Sequence, residues 1–404
     1  GFKRIERESE KLPPKVERAS ISDDDLRQLV GELQQFESLN ENEKSIVFYA
    51  ENKASMNHFR TLIYELTEKM NFKICLVTSV KDDPILTSKN NKIKSFYIGD
   101  GTARTKFFLT LKTKIMIMDM PDLESFHIKR SKIYPVHYIY LFHSMFSIHS
   151  YLRKGAIDNY DTIFCVGSHH IDEISKTEKF YNLKSKKIIK YGFGRLDWLL
   201  TEKKKLQNTL SVDANTIIIA PSYGKNNLLE ICGIKLIKIL LESNFKVILR
   251  PHFKTLKDSK ELIDSIKRNF KKSNNFTLET GVIPFNLFYQ SQCLISDWSG
   301  ISMEYPFVFE RPVIFIDVPK KILNSNVNDI GIEPIEIEIR KKIGHIISPK
   351  KIEQIPELII KIRNNNLEFE DEIKTLRSNI VYNIENSAKI GAVYIKELLN
   401  MHTK

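Results

Sequence analysis

Residues 45–79, SIVFYAENKASMNHFRTLIYELTEKMNFKICLVTS, decide the fold of this chain. The stretch begins and ends with short, almost continuously apolar runs rich in β-branched and aromatic residues, as is typical of strands buried on both faces. Between these runs, apolar residues recur at helical spacing at Phe59, Leu62, Ile63 and Leu66. The order strand, amphipathic helix, strand predicts one β-α-β unit of a parallel sheet.

The same alternation continues along the chain in two series. The first series has predicted strands at 45–50, 73–79, 95–100, 114–120, 137–144, 162–168 and 187–193. The second has predicted strands at 215–224, 245–252, 276–280, 293–300 and 312–318, with helices at 229–243 and near 257–270. A polar segment at 201–215 separates the two series. We therefore expect an α/β protein in which two Rossmann-like domains face each other across a cleft.

Four parts are expected along the chain. They are a charged N-terminal helical segment (1–44), a first Rossmann-like domain (45–205), a second Rossmann-like domain (206–383) and a C-terminal helix (384–404). A capping signal that starts at Ser22 predicts a helix within the first part. Two Rossmann-like halves of this size resemble the GT-B glycosyltransferase group, in which ligands bind in the cleft where the strand ends face each other.

The composition is that of a folded protein with a basic surface. Of the 404 residues, 62 are Lys or Arg and 50 are Asp or Glu, so the net charge is +12. Contents of 42% apolar and 28% charged residues exclude a disordered chain, and no run approaches the roughly 18 apolar residues that span a bilayer. The charge favours anionic partners, namely a nucleotide, phospholipid headgroups or nucleic acid. Because no RNA-recognition, helix-turn-helix or zinc-finger pattern occurs, we expect no nucleic-acid partner.

The cysteines favour a reducing compartment. Cys75, Cys165, Cys232 and Cys293 lie far apart and form no CxxC pair, so neither a zinc site nor a disulfide framework is predicted. The first turns of the chain also lack the apolar core of a secretory signal. We expect a cytoplasmic protein that its basic surface holds peripherally at the inner face of the plasma membrane.

Polar residues follow four of the predicted strands. They are His143-Ser144 in the first series and Ala220–Gly224, Arg250–His252 and Ser296–Gly300 in the second. In a parallel sheet the C-terminal end of each strand delivers side chains to the cleft. Four such ends across two domains predict a binding and catalytic site between them.

The second-domain strand ends carry groups that suit a diphosphate. The guanidinium of Arg250 and the imidazole of His252 pair naturally with one, and small residues in two turns let backbone N–H groups approach phosphate oxygens. Glu304, about one turn into the following helix, is expected to accept hydrogen bonds from a ribose diol. For Asp297 two interpretations stay open, chemistry at the site or fixing of its turn through backbone amides. The predicted donor-binding residues are Ser222, Tyr223, Gly224, Arg250, His252, Ser296, Asp297, Ser299, Gly300 and Glu304.

His143 is the predicted base, since histidine is the side chain best suited to take a proton from a hydroxyl near neutral pH. His149 and His169-His170 are weaker candidates for the acceptor side. The acidic pair in Asp119-Met-Pro-Asp122 does not form the DxD of metal-dependent transferases, and no GxxxxGK[ST] loop occurs. We expect neither a metal nor another cofactor.

Together these motifs resemble the CDP-glycerol glycerophosphotransferase family, the polymerases and primases of teichoic-acid and related capsule synthesis. The matching motifs are His143 after an apolar strand, Val166-Gly-Ser168, Gly194-Arg195-Leu-Asp197, Ala220-Pro-Ser-Tyr-Gly224, Leu249-Arg-Pro-His252 and Leu294-Ile-Ser-Asp-Trp-Ser-Gly300. The resemblance implies that His143 is the base, and that His252 and the serines of the last motif hold the donor pyrophosphate.

The first site departs from the family pattern. Family members carry His-Gly-Thr with a nearby Lys, whereas this chain has His143-Ser-Met-Phe, with Arg153-Lys154 further on. The acceptor side and the transferred group therefore stay open, the group being glycerol phosphate, ribitol phosphate, another polyol phosphate or a sugar.

The predicted reaction moves a polyol phosphate from a CDP-linked donor to a hydroxyl of a cell-surface polymer or lipid-linked acceptor and releases CMP. The donor binds the second domain and the acceptor the first, with His143 and His252 as catalytic residues. One alternative is a metal-independent GT-B glycosyltransferase of surface polysaccharide synthesis that uses a CMP- or UDP-sugar. Another is a non-catalytic nucleotide-binding or membrane scaffold protein.

Overall fold

The predicted architecture of two parallel sheets is confirmed. A computed structural model describes residues 23–281, 284–320, 323–364 and 366–401. Two sheets follow one another along the chain, and every strand pair in both is parallel. The capping signal at Ser22 lies outside the described residues.

The first sheet contains the seven strands of the first predicted series. They are β1 (Ile46–Ala50), β2 (Ile74–Thr78), β3 (Ile93–Tyr97), β4 (Ile115–Met118), β5 (His137–Leu141), β6 (Thr162–Cys165) and β7 (Lys187–Lys190). Their order across the sheet is β3-β2-β1-β4-β5-β6-β7. Every residue of β1, β2 and β4 is buried, which is the physical reason for their continuous apolar runs.

The second sheet contains one strand more than the sequence predicted. Its strands are β8 (Asp213–Ile219), β9 (Lys246–Leu249), β10 (Phe276–Leu278), β11 (Ser291–Ser296), β12 (Val313–Ile316) and β13 (Gly344–Ile347). They are ordered β10-β9-β8-β11-β12-β13. The missed strand, β13, lies at the edge and is only half-buried, so its four residues lack a strong apolar run.

Helices connect the strands in both halves. They are α1 (Asp23–Ser38), α2 (Met56–Tyr64), α3 (Thr102–Leu109), α4 (Ile148–Tyr151), α5 (Ser168–Phe180), α6 (Gly194–Leu206), α7 (Ile234–Glu242), α8 (Phe253–Asp258), α9 (Lys260–Phe270), α10 (Phe285–Gln290), α11 (Ile301–Phe309), α12 (Ile335–Ile339), α13 (Ile355–Asn364), α14 (Asn366–Ile380) and α15 (Ser387–Met401). The predicted helix at 229–243 begins as a π-helical turn, Leu229–Gly233. The helix predicted near 257–270 is interrupted at Ser259, where φ is −126° and ψ is 47°.

The last helix, α15, returns to the first sheet. Its residues Ala392 and Ile395 join the apolar layer that covers β1, β2 and β4. At Gly391 a β-carbon would come within 2.7 Å of the Tyr191 ring, so only glycine allows this close approach. The carboxylate of Asp197, in α6, accepts the N–H of Ser387 at 3.1 Å and so caps the start of α15.

Helix α6 also joins the two halves. It follows β7 of the first sheet, packs on α2 and contacts α11, which follows β11 of the second sheet. The ends of strands from the two sheets therefore lie near one another on either side of α6.

Candidate active site

His143 follows β5 and is held in one orientation by the backbone. Its Nδ1 lies 3.0 Å from the carbonyl oxygen of Asp119, which follows the neighbouring strand β4. A carbonyl can only accept, so Nδ1 carries the proton and donates, and Nε2 of the neutral ring carries the lone pair. Burial lowers the pKa of His143 below its ordinary value, against the effect of this hydrogen bond. The ring is therefore set up as a proton acceptor through Nε2.

A second histidine, His58 of α2, lies beside His143. The two ring centroids are 6.2 Å apart, and His58 is 8% exposed. Burial, followed by the proximity of His143 and Arg195, holds the pKa of His58 well below its ordinary value. Sequence reasoning missed His58 because it lies inside an amphipathic helix and ends no strand.

The carboxyl group of Asp119 also lies in this region. Its Oδ1 accepts the hydroxyl of Ser55 at 2.9 Å, and burial raises the pKa of Asp119 to about 7. The sequence analysis considered Asp119 only as a metal ligand. Its position next to His143 could be predicted from the strand order alone, because β4 and β5 are neighbours.

An ion pair joins the two domains near these histidines. Arg195, the second residue of α6, donates from Nε to Oε1 of Glu304 in α11 at 2.8 Å. Arg250 shares this environment: burial lowers its pKa, and of the nearby charges Glu304 opposes that shift while Arg195 adds to it. Arg195 also lies near enough to lower the pKa of His58, so it interacts with groups of both domains. Arg195 belongs to a quoted motif, but nothing in the sequence revealed its partner.

His252 lies in an aromatic stack at the start of α8. Its Nδ1 accepts the N–H of Lys254 at 3.2 Å, so the proton of the neutral ring resides on Nε2. The ring centroids of Tyr223 and Phe253 each lie 4.5 Å from that of His252. The predicted Ser222–Gly224 turn and the Arg250–His252 strand end are therefore adjacent.

Ser296 and Asp297 lie beneath the surface and form hydrogen bonds to the Ser222–Gly224 turn and the residues that flank it. Both are fully buried. Asp297 accepts the N–H of Ser222 at 2.6 Å and that of Leu228 at 3.0 Å, while the Ser296 hydroxyl donates to the carbonyl of Ala220 at 2.6 Å. Of the two interpretations of Asp297, this geometry supports the fixing of the turn.

The two glycines of the predicted donor site are exposed. Gly224 has φ of +91°, a left-handed conformation that favours glycine, and a β-carbon there would meet open space. Gly300 has no atom within 4 Å of a built β-carbon, and its neighbour Ser299 is half-buried. Both turns thus present backbone at the surface, as an approaching phosphate requires.

Comparison with known proteins identifies the family. The model of the CDP-glycerol:poly(glycerophosphate) glycerophosphotransferases matches residues 32–321. The chain belongs to this family. The resemblance seen in the motifs is thereby confirmed, and the chain is a CDP-glycerol glycerophosphotransferase-like enzyme. A comparison with curated protein sequences finds no match.

Solved structures show the fold that this chain shares. The wall teichoic acid polymerase TagF is 14% identical over 94% of this chain and 96% of its own, with a TM-score of 0.59. A substituted form of TagF soaked with CDPG has a TM-score of 0.57 at 14% identity, over 94% of this chain and 95% of its own. UDP-GlcNAc 2-epimerase of Methanocaldococcus jannaschii, in complex with UDP-GlcNAc and UDP, is 13% identical over 87% and 99%, with a TM-score of 0.55. These likenesses place the chain in the GT-B fold.

The weaker histidine candidates form hydrogen bonds elsewhere in the structure. His169 and His170 lie within 3.0 Å and 2.9 Å of the carbonyls of Met145 and Phe146, so they support the segment after His143. His149 contacts Ile332 of the second domain. None of these three hydrogen bonds involves His143.

Among the residues that the structure describes, no group of three or more His, Cys, Asp or Glu side chains could hold a metal ion. No helix within the same residues is long and apolar enough to cross a membrane.

The buried carboxylate of Asp297 leads to a prediction on stability. Asp297→Ala leaves two buried N–H groups unpartnered, each at roughly 1–3 kcal/mol, so the free energy of unfolding should fall by about 2–6 kcal/mol. Asp297→Asn keeps one acceptor oxygen and should lose less. Urea unfolding measures both variants, with Asp258→Ala at an exposed position as the control. A stability of Asp297→Ala equal to that of the control would contradict the assignment.

Proposed function

We propose that the enzyme transfers a polyol phosphate, glycerol or ribitol phosphate, from a CDP-linked donor to a hydroxyl of a cell-surface polymer or lipid-linked acceptor. The observation that carries this proposal is the hydrogen bond from His143 Nδ1 to the Asp119 carbonyl, which leaves Nε2 as a base. The Arg195–Glu304 ion pair connects this base to the cationic strand end of the second domain. A base on one side and fixed cations on the other suit the attack of a hydroxyl on a diphosphate.

The transfer is a single displacement at phosphorus. The acceptor hydroxyl oxygen forms a bond to the β-phosphorus of the donor as its proton passes to Nε2 of His143. The bond between the β-phosphorus and the bridging oxygen breaks, and CMP leaves with that oxygen and its electron pair. Proton transfer to a positioned base contributes roughly 100- to 10,000-fold to such a step.

The second domain stabilises the charge that develops on the leaving CMP. Arg250 supplies a guanidinium fork, and His252 supplies an N–H from Nε2. The backbone of the Ser222–Gly224 and Ser299–Gly300 turns adds dipoles, with Ser296 and Asp297 as the supports that hold the first turn. Glu304 orients Arg195 between the domains and lies within reach of a donor ribose in this proposal.

The acceptor and the membrane surface are inferred from charge. The net charge of +12 attracts an anionic leaflet, where a lipid-linked acceptor would reside. We propose that the enzyme works peripherally at the inner face of the plasma membrane. The soaking of TagF with CDPG supports a CDP-linked donor, because the two proteins share a fold and this chain belongs to the glycerophosphotransferase family.

A panel of donors tests the proposed reaction. We expect CDP-glycerol or CDP-ribitol to raise the melting temperature of the enzyme, because a ligand that binds the native state stabilises it. Incubation of that donor with a polymer or lipid-linked acceptor should then release CMP. Stabilisation and turnover only with CMP- or UDP-sugars would contradict the proposal and favour the glycosyltransferase alternative. Binding without turnover would favour a scaffold protein.

The value of kcat/KM should stay high as the pH is lowered toward the acidic range and fall only there. A protonated His143 cannot accept the hydroxyl proton, so the rate falls as the pH drops through its pKa. Because burial lowers that pKa, the midpoint should lie below about 6.5, the ordinary histidine value. The variant Asp119→Asn removes the neighbouring carboxyl, whose pKa of about 7 would otherwise add a second titration. A midpoint at or above the ordinary value in Asp119→Asn would contradict the assignment of His143.

A further inference from the structure

The short helix α12 of the second domain contacts the segment that follows His143. The backbone N–H of Ile335, its first residue, donates to Oγ of Ser147 at 2.7 Å. In return, the N–H of Ser147 donates to Oε2 of Glu336 at 3.1 Å. Ser147 is fully buried and Glu336 is 7% exposed. This reciprocal pair of bonds resembles a capping box, with a serine from the other domain and the first two residues of the helix as its partners.

Helix α12 has no cap of its own. Pro334 precedes it and makes no side-chain cap, and a helix of five residues is too short to be stable by itself. The segment from the first domain therefore completes it. Two further bonds strengthen this junction: Nε2 of His149 donates to the carbonyl of Ile332 at 2.9 Å, and Asn324 donates from Nδ2 to the carbonyl of His149 at 3.0 Å.

The other end of α12 contacts the Ser296–Gly300 turn of the predicted donor site, called the donor turn below. Arg340 follows the helix, is 5% exposed, and places its guanidinium carbon 3.9 Å from the ring centre of Trp298. Trp298 stands between Asp297 and Ser299, and its indole N–H donates to the carbonyl of Val318 at 3.1 Å. The guanidinium therefore stacks on the Trp298 ring and restricts the position of that ring and of the turn.

One helical turn separates these two contacts. Glu336 and Arg340 are four residues apart, which corresponds to about 6 Å along a helix. We propose that α12 relays the state of the donor turn to the segment after His143, with Ser147, Glu336 and Arg340 as positioning residues. Binding of a donor at the turn around Trp298 then favours the folded form of α12. The folded α12 in turn holds the segment after His143, which contains Ser147, in place. This inference rests on the proposed transfer reaction.

Substitutions of Glu336 separate positioning from donor binding. Glu336→Ala should lower kcat on the order of 100-fold, the size of effect that a misplaced reacting group produces, and should raise the Kd for CDP by a smaller factor, because a helix that donor binding favours must in turn favour donor binding. Glu336→Gln keeps an oxygen that accepts the Ser147 N–H and should recover most of kcat. Glu338→Ala is the matched control, since Glu338 lies on the same helix in a surface pair with Lys342. An unchanged kcat in Glu336→Ala, or an equal loss in both Glu336 variants, would overturn the proposal.

Hydrogen exchange tests the relay without a donor. In Ser147→Ala, amide exchange should become faster in residues 335–339 and also in residues 298–302, which Ser147 does not touch. Faster exchange in the first segment alone, or in neither, would overturn the relay. A wild-type enzyme that binds no CDP and transfers nothing would refute the proposed function, whereas the exchange result would still decide whether α12 couples the two segments.

Discussion

Replacing His143 with alanine is expected to lower kcat by about 100- to 10,000-fold, because the attacking hydroxyl loses its base. The KM for the donor should change little, since His143 belongs to the first domain and the donor is assigned to the second. Steady-state release of CMP from CDP-glycerol measures both parameters. His143→Asn should be as inactive as alanine, because its side-chain nitrogen carries no basic lone pair.

The control for this prediction is His127→Ala, which alters an exposed histidine of the same domain. It should retain wild-type rates. Undiminished turnover in His143→Ala, with the fold intact by circular dichroism, would remove His143 from the mechanism.

Replacing Arg250 with glutamine is expected to lower kcat/KM by roughly 100- to 1,000-fold, the cost of removing one group that stabilises developing charge. Arg250→Lys keeps the charge without the planar fork and should lie between glutamine and wild type. Because the side chain of Arg250 interacts with both Arg195 and Glu304, its loss also disturbs the interdomain ion pair.

Affinity measurements show where the Arg250 effect arises. The Kd for CDP should rise in Arg250→Gln while the much weaker binding of cytidine stays constant, because only CDP carries phosphate. Arg268→Gln, an exposed arginine of the same domain, serves as the control and should change neither value. An equal loss of CDP and cytidine affinity would mean that Arg250 shapes the site without contacting phosphate.

The local signals in the sequence were sufficient to locate every strand of the first sheet and all but one of the second, although the predicted bounds differ from the observed ones by several residues. Every residue of β1, β2 and β4 is buried, so these strands are apolar apart from Thr78, whose hydroxyl donates to Asp83, and this constraint is visible in a single sequence. The half-buried edge strand β13 lies under no such constraint, and the sequence analysis missed it. The break at Ser259 was also missed, because no glycine or proline marks it in the sequence.

Long-range pairings could not be predicted. Arg195 and Glu304 are 109 residues apart, and Ser147 and Ile335 are 188 apart. Nothing in the neighbourhood of either partner indicates the other. His58 was missed likewise, because a histidine in an amphipathic helix has no feature that predicts proximity to a strand end.

By itself, the sequence determined that this chain forms two parallel sheets and that polar groups stand at the ends of four strands, because strand burial and alternation are imposed residue by residue. Tertiary structure alone decided which of those groups meet. It turned Nε2 of His143 into a base through a backbone carbonyl of Asp119, and it buried Asp297 beneath the turn it supports. A hydrogen bond between residues far apart in sequence depends on where the fold places both partners. The residues next to either partner in the sequence do not specify that placement.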